Sequence, residues 1–218
     1  MERAQGRRTQ HAFSFGAHYD PQWLSFGPMV CHDDHLLGRG QGFEEHPHAD
    51  LEIVTFVVSG SLVHADSLGT EESLGAGDVA VLSAGAGVRH REVAATSGPA
   101  RFVQVWLKPD QVGTPPAYAR TSTDAVQPGA GLVPVAGTGS ELEVGVAGAA
   151  YAVARLAADE TVTLPAAGRL HAYVASGALV RSSLAAPLET GDAYCFVDEP
   201  SHQVTTAAPT ELLVWTFA

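Results

Sequence analysis

Two pairs of polar side chains have the spacing of metal ligands: His46 with His48, and His90 with Glu92. Residues i and i+2 of a β-strand point to the same face, so each pair presents both side chains together. If two such strands met inside one domain, three imidazoles and one carboxylate would converge on a single point. That donor set binds a divalent transition metal and leaves coordination positions open for a substrate.

The elements that would position these pairs are short β-strands. Apolar and β-branched runs recur along the chain, and most of them end at glycine-containing turns. No stretch of ten or more residues shows a helical spacing of its apolar residues. The chain is therefore predicted to be all-β. The clearest predicted strands are residues 51–58, 61–66, 78–82 and 102–107.

The second half of the chain repeats the first. Three segments match in order and in rough spacing: 57–63 with 174–180, 74–78 with 188–192, and 103–106 with 212–215. A repeated strand–turn–strand pattern predicts two related β-barrels or sandwiches in tandem. We predict a metal-binding domain at 1–112, a proline-containing linker at 113–127, and a degenerate domain without a metal site at 128–218.

The repeat also serves as an internal control for the metal site. In the predicted alignment His46 and His48 fall on Thr163 and Pro165, His90 falls near His202, and Glu92 falls near Val204. The second copy has lost three of the four candidate ligands while it keeps the scaffold. Side chains needed only for packing would have no reason to be restricted to one copy. The metal site is therefore predicted in the first half alone.

Composition excludes several classes of function. The chain of 218 residues has a formal net charge of −12 and a single lysine, Lys108, so no direct binding to nucleic acid is predicted. No apolar run is long enough to span a bilayer, and no signal-peptide pattern is found, so a cytoplasmic location without membrane association is expected. Cys31 and Cys195 have no metal-type spacing and are predicted to be buried free thiols.

These motifs resemble the pirin family, a branch of the cupin superfamily. The resemblance runs from about Phe13 to Asp110, and its most specific part is His46-Pro47-His48 followed by Glu52-Ile53-Val54-Thr55. It also includes Phe26-Gly27-Pro28, Asp33-Asp34, Gly42-Phe43, Gly60, His64-Ala65-Asp66-Ser67, Gly77, Gly85-Ala86-Gly87, His90-Arg91-Glu92 and Gln104-Val105-Trp106. The resemblance implies two tandem cupin-type β-barrels, with the second half matching mainly as a degenerate cupin.

The resemblance further implies one metal, usually iron, held by His46, His48, His90 and Glu92. Fe(II) is expected, and Ni, Co, Mn, Cu or Zn would also suit the donors. Some pirin-like proteins open the flavonol quercetin with O2, which implies a small aromatic substrate. Others are regulators that bind a protein partner, such as a transcription factor or a metabolic enzyme. Both hypotheses stay open, with a metal-free vestigial cupin as a third.

Glu52 is the rival carboxylate. Its residue number is even, like those of His46 and His48, so an uninterrupted strand would point all three side chains to one face, and Glu52 is considered as a metal ligand. It is also considered as a hydrogen-bond acceptor for a ligand imidazole. Like Glu92, it is a candidate acceptor of the substrate hydroxyl proton. His64 and Asp66 share a strand face and are predicted to orient ligands, to line the cavity mouth, or to form an interior hydrogen-bonded pair. The other histidines are predicted on the surface or in loops: His11, His18, His32, His35, His171 and His202.

Overall fold

The fold is described from a computed structural model that covers residues 1–4, 6–14, 20–182 and 184–218. Within these ranges the chain forms strands and no helix, as predicted. The strands of the first half are β1 Glu2–Ala4, β2 Arg7–His11, β3 Met29–Leu37, β4 Gly42–His48, β5 Glu52–Ser59, β6 Ser61–Asp66, β7 Glu71–Gly75, β8 Asp78–Ser83, β9 Val88–Ala94, β10 Ala100–Leu107 and β11 Ala117–Ser122. Those of the second half are β12 Val133–Gly137, β13 Ala150–Leu156, β14 Thr161–Leu164, β15 Ala167–Ser176, β16 Ala178–Leu179, β17 Leu188–Glu189, β18 Ala193–Glu199, β19 His202–Thr205 and β20 Thr210–Phe217.

The first unit consists of two antiparallel sheets. Seven strands form one sheet in the order β1-β2-β3-β10-β5-β8-β11, and four form the other in the order β4-β9-β6-β7. Alternate side chains of both sheets turn inward and fill the space between them, as in other two-sheet proteins. The resulting core is apolar; its buried members include Leu37, Val57, Leu62, Leu74, Ala80, Ala94, Ala100 and Phe102.

The second unit repeats the strand pairings of β2 to β10 with each strand number raised by ten, except that the counterpart of the four-stranded sheet is divided into two pairs. The order β3-β10-β5-β8 becomes β13-β20-β15-β18, the pair β4-β9 becomes β14-β19, and β6-β7 becomes β16-β17. Even the turns correspond. Gly60 and Gly177 both have positive φ, and a Cβ on either would lie 2.1 or 2.3 Å from a proline carbonyl oxygen, so only glycine fits. The tandem repeat predicted from the sequence is therefore present in the fold.

Two parts of the predicted alignment are wrong by one residue. His46 lies opposite His90 and Leu164 lies opposite His202, so the counterpart of His46 is Leu164 and not Thr163. In the structure Val57 lies opposite Phe102 and Val174 lies opposite Leu212, which makes Gln104 equivalent to Val214. The predicted match of Trp106 with Trp215 therefore does not hold. Because side chains alternate along a strand, a shift of one residue moves a side chain to the other face of the sheet. Trp215 accordingly stacks on Tyr151, with ring centroids 4.5 Å apart, on the face opposite to Val214.

The contacts divide the chain into Met1–Ser122 with Val144–Val146, and Thr123–Glu143 with Ala147–Ala218. The segment 113–127, predicted as a linker, contains β11, which pairs with β8 along its whole length. The described part of the chain has no helix long and apolar enough to cross a membrane. Cys31 is buried, as predicted, whereas Cys195 is exposed.

Three histidines predicted on the surface are instead buried within strands: His32, His35 and His171. His11 and His202 also lie in strands, and His18 lies outside the described residues. Burial lowers the pKa of His32 to about 4 and that of His35 to about 3, because a charged imidazolium is poorly solvated in the core. Both side chains are therefore neutral in the folded protein at pH 7.

The metal-free protein is expected to lose stability as the pH falls from about 6.5 to 4. In that window the unfolded chain protonates His32 and His35, whereas the folded chain does not, so the free energy of unfolding falls by about 1.4 kcal/mol per pH unit for each such histidine. Urea unfolding at pH 7.0, 5.5 and 4.5 measures this slope, and His35→Gln should reduce it. A slope that His35→Gln leaves unchanged would contradict the assignment.

Candidate metal centre

Strands β4 and β9 bring the predicted ligands together. The two strands pair so that His46 lies directly opposite His90 and His48 lies opposite Val88, after a bulge between Phe43 and His46. The bulge, an irregularity that re-aims side chains, sets the strand register at these histidines. Gly42 also permits a close approach of the strands, because a Cβ there would lie 2.1 Å from the carbonyl oxygen of Glu92.

Three imidazoles converge at this junction. The ring centroid of His46 lies 4.5 Å from that of His90 and 4.9 Å from that of His48, and His48 and His90 are 5.1 Å apart. One donor nitrogen from each ring lies within 4.8 Å of the others. The predicted cluster of His46, His48 and His90 is thus present in the structure.

The hydrogen bonds of these rings leave nitrogen lone pairs for a metal. The Nδ1 atom of His46 donates to the carbonyl oxygen of Glu44 at 2.7 Å, which leaves Nε2 as the acceptor nitrogen. Among the described residues, Nε2 of His48 and both ring nitrogens of His90 are buried without a hydrogen-bond partner. Buried polar atoms are rarely left unpaired, so these nitrogens fit a site that a metal completes.

The electrostatics also suit metal binding. Burial, followed by the neighbouring histidines, lowers the pKa of His48 to about 4 and that of His90 to about 3. Both rings are therefore neutral at pH 7, the form in which imidazole binds a metal. Burial raises the pKa of Glu92 above its usual value, although a hydrogen bond from Gln104 partly offsets that effect.

Glu92 lies on the same inward face of β9 as His90, but its carboxylate oxygens are not part of the group that the donor atoms of His46, His48 and His90 form. A carboxylate oxygen of Glu92 and one ring nitrogen each of His90 and His64 lie within 4.8 Å of one another, and all three residues are buried. His64 also donates from Nε2 to the Asp66 carboxylate at 3.0 Å, so the interior hydrogen-bonded pair expected for these two residues is formed. The donors His64, His90 and Glu92 line a small cavity of about 10 Å³.

The structure does not bring Glu52 to this site. Glu52 precedes Ile53 on β5, and Ile53 lines the cavity beside His90, so Glu52 points to the other face of the sheet. There its carboxylate accepts a hydrogen bond of 2.7 Å from Ser83. The parity argument fails because a loop between β4 and β5 resets which residues point inward. The ligand and proton-acceptor roles considered for Glu52 are therefore not supported.

Sequence reasoning missed a polar network behind Glu92. The Gln104 amide nitrogen donates to both oxygens of Glu92 at 2.8 and 2.9 Å, and the Trp106 indole N–H donates to the Gln104 carbonyl oxygen at 2.9 Å. The Trp106 ring in turn contacts the His48 ring, with centroids 4.8 Å apart. The only signal in the sequence was Gln104-Val105-Trp106, whose i, i+2 spacing puts both side chains on one face of the strand.

An open cavity of about 410 Å³ leads to this centre. Its volume falls in the usual range for small-molecule sites. It is lined by Arg7, Thr9, His11, Asp33, His35, Phe43, Glu44, His46, Glu92, Gln104 and Trp106. A second, more open depression of about 460 Å³ borders His48 on another side, next to Ala49 and Arg89.

Known proteins share both the sequence pattern and this fold. The sequence model of the pirin family matches residues 1–107. A Mycobacterium tuberculosis protein that carries quercetin 2,3-dioxygenase as a provisional name is 37% identical over 213 residues, which is 95% of this chain and 87% of the relative. The chain belongs to the pirin family.

Other pirins add structural and functional context. The crystal structure of the bacterial pirin YhhW from Escherichia coli in complex with nickel(II) superposes with a TM-score of 0.88 at 29% identity, covering 99% of this chain and 93% of the other. A quercetin 2,3-dioxygenase from E. coli is 40% identical over 118 residues, which is 54% of this chain and 51% of the relative. The all-β, tandem cupin-type architecture predicted from the sequence is thereby confirmed.

Proposed function

We propose that this pirin is a mononuclear metalloprotein in which His46, His48, His90 and Glu92 hold one divalent transition metal. The observation that carries the proposal is the convergence of three imidazoles beside a cavity that His46 lines, since among the described residues the ring nitrogens Nε2 of His48 and Nδ1 and Nε2 of His90 are buried without a hydrogen-bond partner. The nickel-bound structure of a related pirin supports a divalent metal. Fe(II) is proposed as the physiological ion, and Ni, Co, Mn, Cu and Zn suit the same donors.

We further propose that the protein is a dioxygenase that opens the heterocycle of a flavonol such as quercetin, or of a related enol or phenol, with O2. The dioxygenase names of its relatives support this substrate class. When bound, a divalent metal would supply Lewis acidity that lowers the pKa of the substrate hydroxyl. The cavity offers the rings of Phe43 and Trp106 as apolar walls for a flat aromatic molecule.

Glu92 is the residue proposed to take up the substrate hydroxyl proton. Its carboxylate is buried and lines the cavity, and burial raises its pKa, so it is a stronger base than an exposed glutamate. Proton transfer to Glu92 leaves an enolate at the substrate, which is the electron-rich form that reacts with O2. The buried walls around Glu92 limit competing proton exchange with water.

The test is anaerobic reconstitution with Fe(II), Ni(II), Co(II), Mn(II) or Cu(II), followed by addition of quercetin and then O2. We expect one metal per chain and O2-dependent loss of the flavonol absorbance with at least one of these ions. Stoichiometric metal without turnover of any member of a flavonol panel would contradict the dioxygenase and fit the alternative, a metal- or redox-sensing regulator that binds a protein partner. Absence of bound metal would contradict both.

A further inference from the structure

The hydrogen-bond network behind Glu92 is centred on the side-chain amide of Gln104, whose orientation is fixed by its partners. The two ends of the Gln104 amide face different partners: its nitrogen faces the Glu92 carboxylate and the Thr55 hydroxyl, at 3.1 Å, while its oxygen faces the Trp106 indole N–H. An indole only donates and a carboxylate only accepts. Flipping the amide would therefore place a donor against a donor and an acceptor against an acceptor. Trp106 thus determines which end of Gln104 meets Glu92.

The scaffold does not need these polar side chains. By strand register Gln104, Thr55 and Glu92 of the first unit correspond to Val214, Ala172 and Val204 of the second. All three of those residues are buried in one apolar cluster. Burying polar groups costs free energy even when they are paired, and an apolar alternative is often at least as stable. The first unit therefore retains the network for a reason other than folding.

The same strand also contacts a candidate ligand. Trp106 packs edge-on against the His48 ring while its N–H orients Gln104. The side chains of β10 consequently touch both the imidazole His48 and the carboxylate Glu92. A residue that acts on a ligand through such an outer contact orients the ligand and changes metal affinity without binding the metal itself.

We propose that Gln104, oriented by Trp106, is the positioning residue that holds the Glu92 carboxylate at the metal centre. The proposal rests on the proposed metal site and extends it by naming what aligns the carboxylate. Trp106 has a double role, because it orients Gln104 and limits the movement of the His48 ring. Thr55 has a minor role: its hydroxyl accepts the second N–H of Gln104 and lies 3.5 Å from the nearer Glu92 oxygen.

The test uses Co(II) as the probe, because its visible absorption changes with ligand number and geometry. Gln104→Met removes the amide with little change in shape, and Trp106→Phe keeps an aromatic ring against His48 but removes the N–H. We expect Gln104→Met to weaken Co(II) binding about 10- to 100-fold and to change the absorption bands. Trp106→Phe should change the bands in the same direction with a smaller loss of affinity. The matched control is Trp215→Phe in the second unit.

The outcomes separate this inference from the metal site itself. If the wild-type chain binds no Co(II), the proposed function fails and the inference fails with it. Suppose instead that the wild type binds Co(II), and that Gln104→Met and Trp106→Phe both bind it with the wild-type affinity and the wild-type absorption bands. Only the positioning role is then overturned. Circular dichroism and urea unfolding establish that each variant is folded. If Gln104→Met does not fold, the Co(II) absorption of Trp106→Phe is the deciding measurement. Wild-type absorption bands in Trp106→Phe would then overturn the proposal that the orientation of the Gln104 amide matters.

Discussion

Replacing His90 with alanine is expected to abolish stoichiometric Ni(II) binding. His90 is the central imidazole: it lies directly opposite His46, belongs to both candidate donor groups, and has two buried ring nitrogens that no described residue hydrogen-bonds. Its loss should lower the affinity for Ni(II) at least ~100-fold. Removing a residue that only hydrogen-bonds to a metal ligand already lowers metal affinity about 10- to 100-fold, and His90 is proposed to bind the metal directly. Isothermal titration calorimetry and elemental analysis measure the affinity and the stoichiometry.

The repeat provides a matched control for this variant. His202 occupies the corresponding position on β19, where the residue opposite it is Leu164 rather than a histidine. His202→Ala should therefore bind Ni(II) like the wild type. Excess metal should also raise the free energy of unfolding of the wild type, by about 2.7 kcal/mol at 100 times its Kd, and should leave that of His90→Ala unchanged. Full Ni(II) binding by His90→Ala would overturn the site.

Glu92→Gln is expected to lose flavonol turnover almost completely while the protein stays folded. The amide has nearly the shape of the carboxylate, but it cannot take up the substrate proton and is a poorer ligand. Loss of a general base lowers kcat by about 10²- to 10⁴-fold, and the loss of negative charge should weaken Ni(II) binding as well. Steady-state kinetics on the reconstituted enzyme and a Ni(II) titration measure the two effects separately.

Glu52→Gln is the matched control for this second variant, since both glutamates are buried in the first unit. Glu52 accepts its hydrogen bond from Ser83, and a glutamine oxygen can accept the same bond, so turnover and Ni(II) affinity should stay near the wild-type values. Equal losses in Glu52→Gln and Glu92→Gln would show that the effect is a general response to altering a buried carboxylate. Unchanged turnover in Glu92→Gln would exclude Glu92 as the base.

The candidate ligands could be predicted because their information is local. His46 with His48, and His90 with Glu92, are i, i+2 pairs, and alternation along a strand decides their common face without any knowledge of the fold. The second copy supplied the contrast that marked them as more than packing residues. Local alternation does not extend across a turn, however. The wrong inference for Glu52 came from carrying the parity of β4 into β5.

The partners of the ligands could not be predicted in the same way. Glu92 lies on β9 and its hydrogen-bond donor Gln104 on β10, and only the closure of the two sheets brings them together. The buried histidines were missed for a related reason. His35 sits between Phe43 and Phe102, with ring centroids 4.9 and 4.8 Å away, and hydrogen-bonds to Thr9 on a neighbouring strand. Such an environment is assembled from distant segments, so composition alone predicts an exposed histidine.

The contact between Trp106 and His48 has an optical consequence. The chain contains three tryptophans, and of these Trp106 is the one that lines the cavity and touches a candidate ligand. Paramagnetic ions such as Cu(II) and Ni(II) quench the emission of an indole at short range. Trp106 is therefore an intrinsic fluorescent reporter of metal binding.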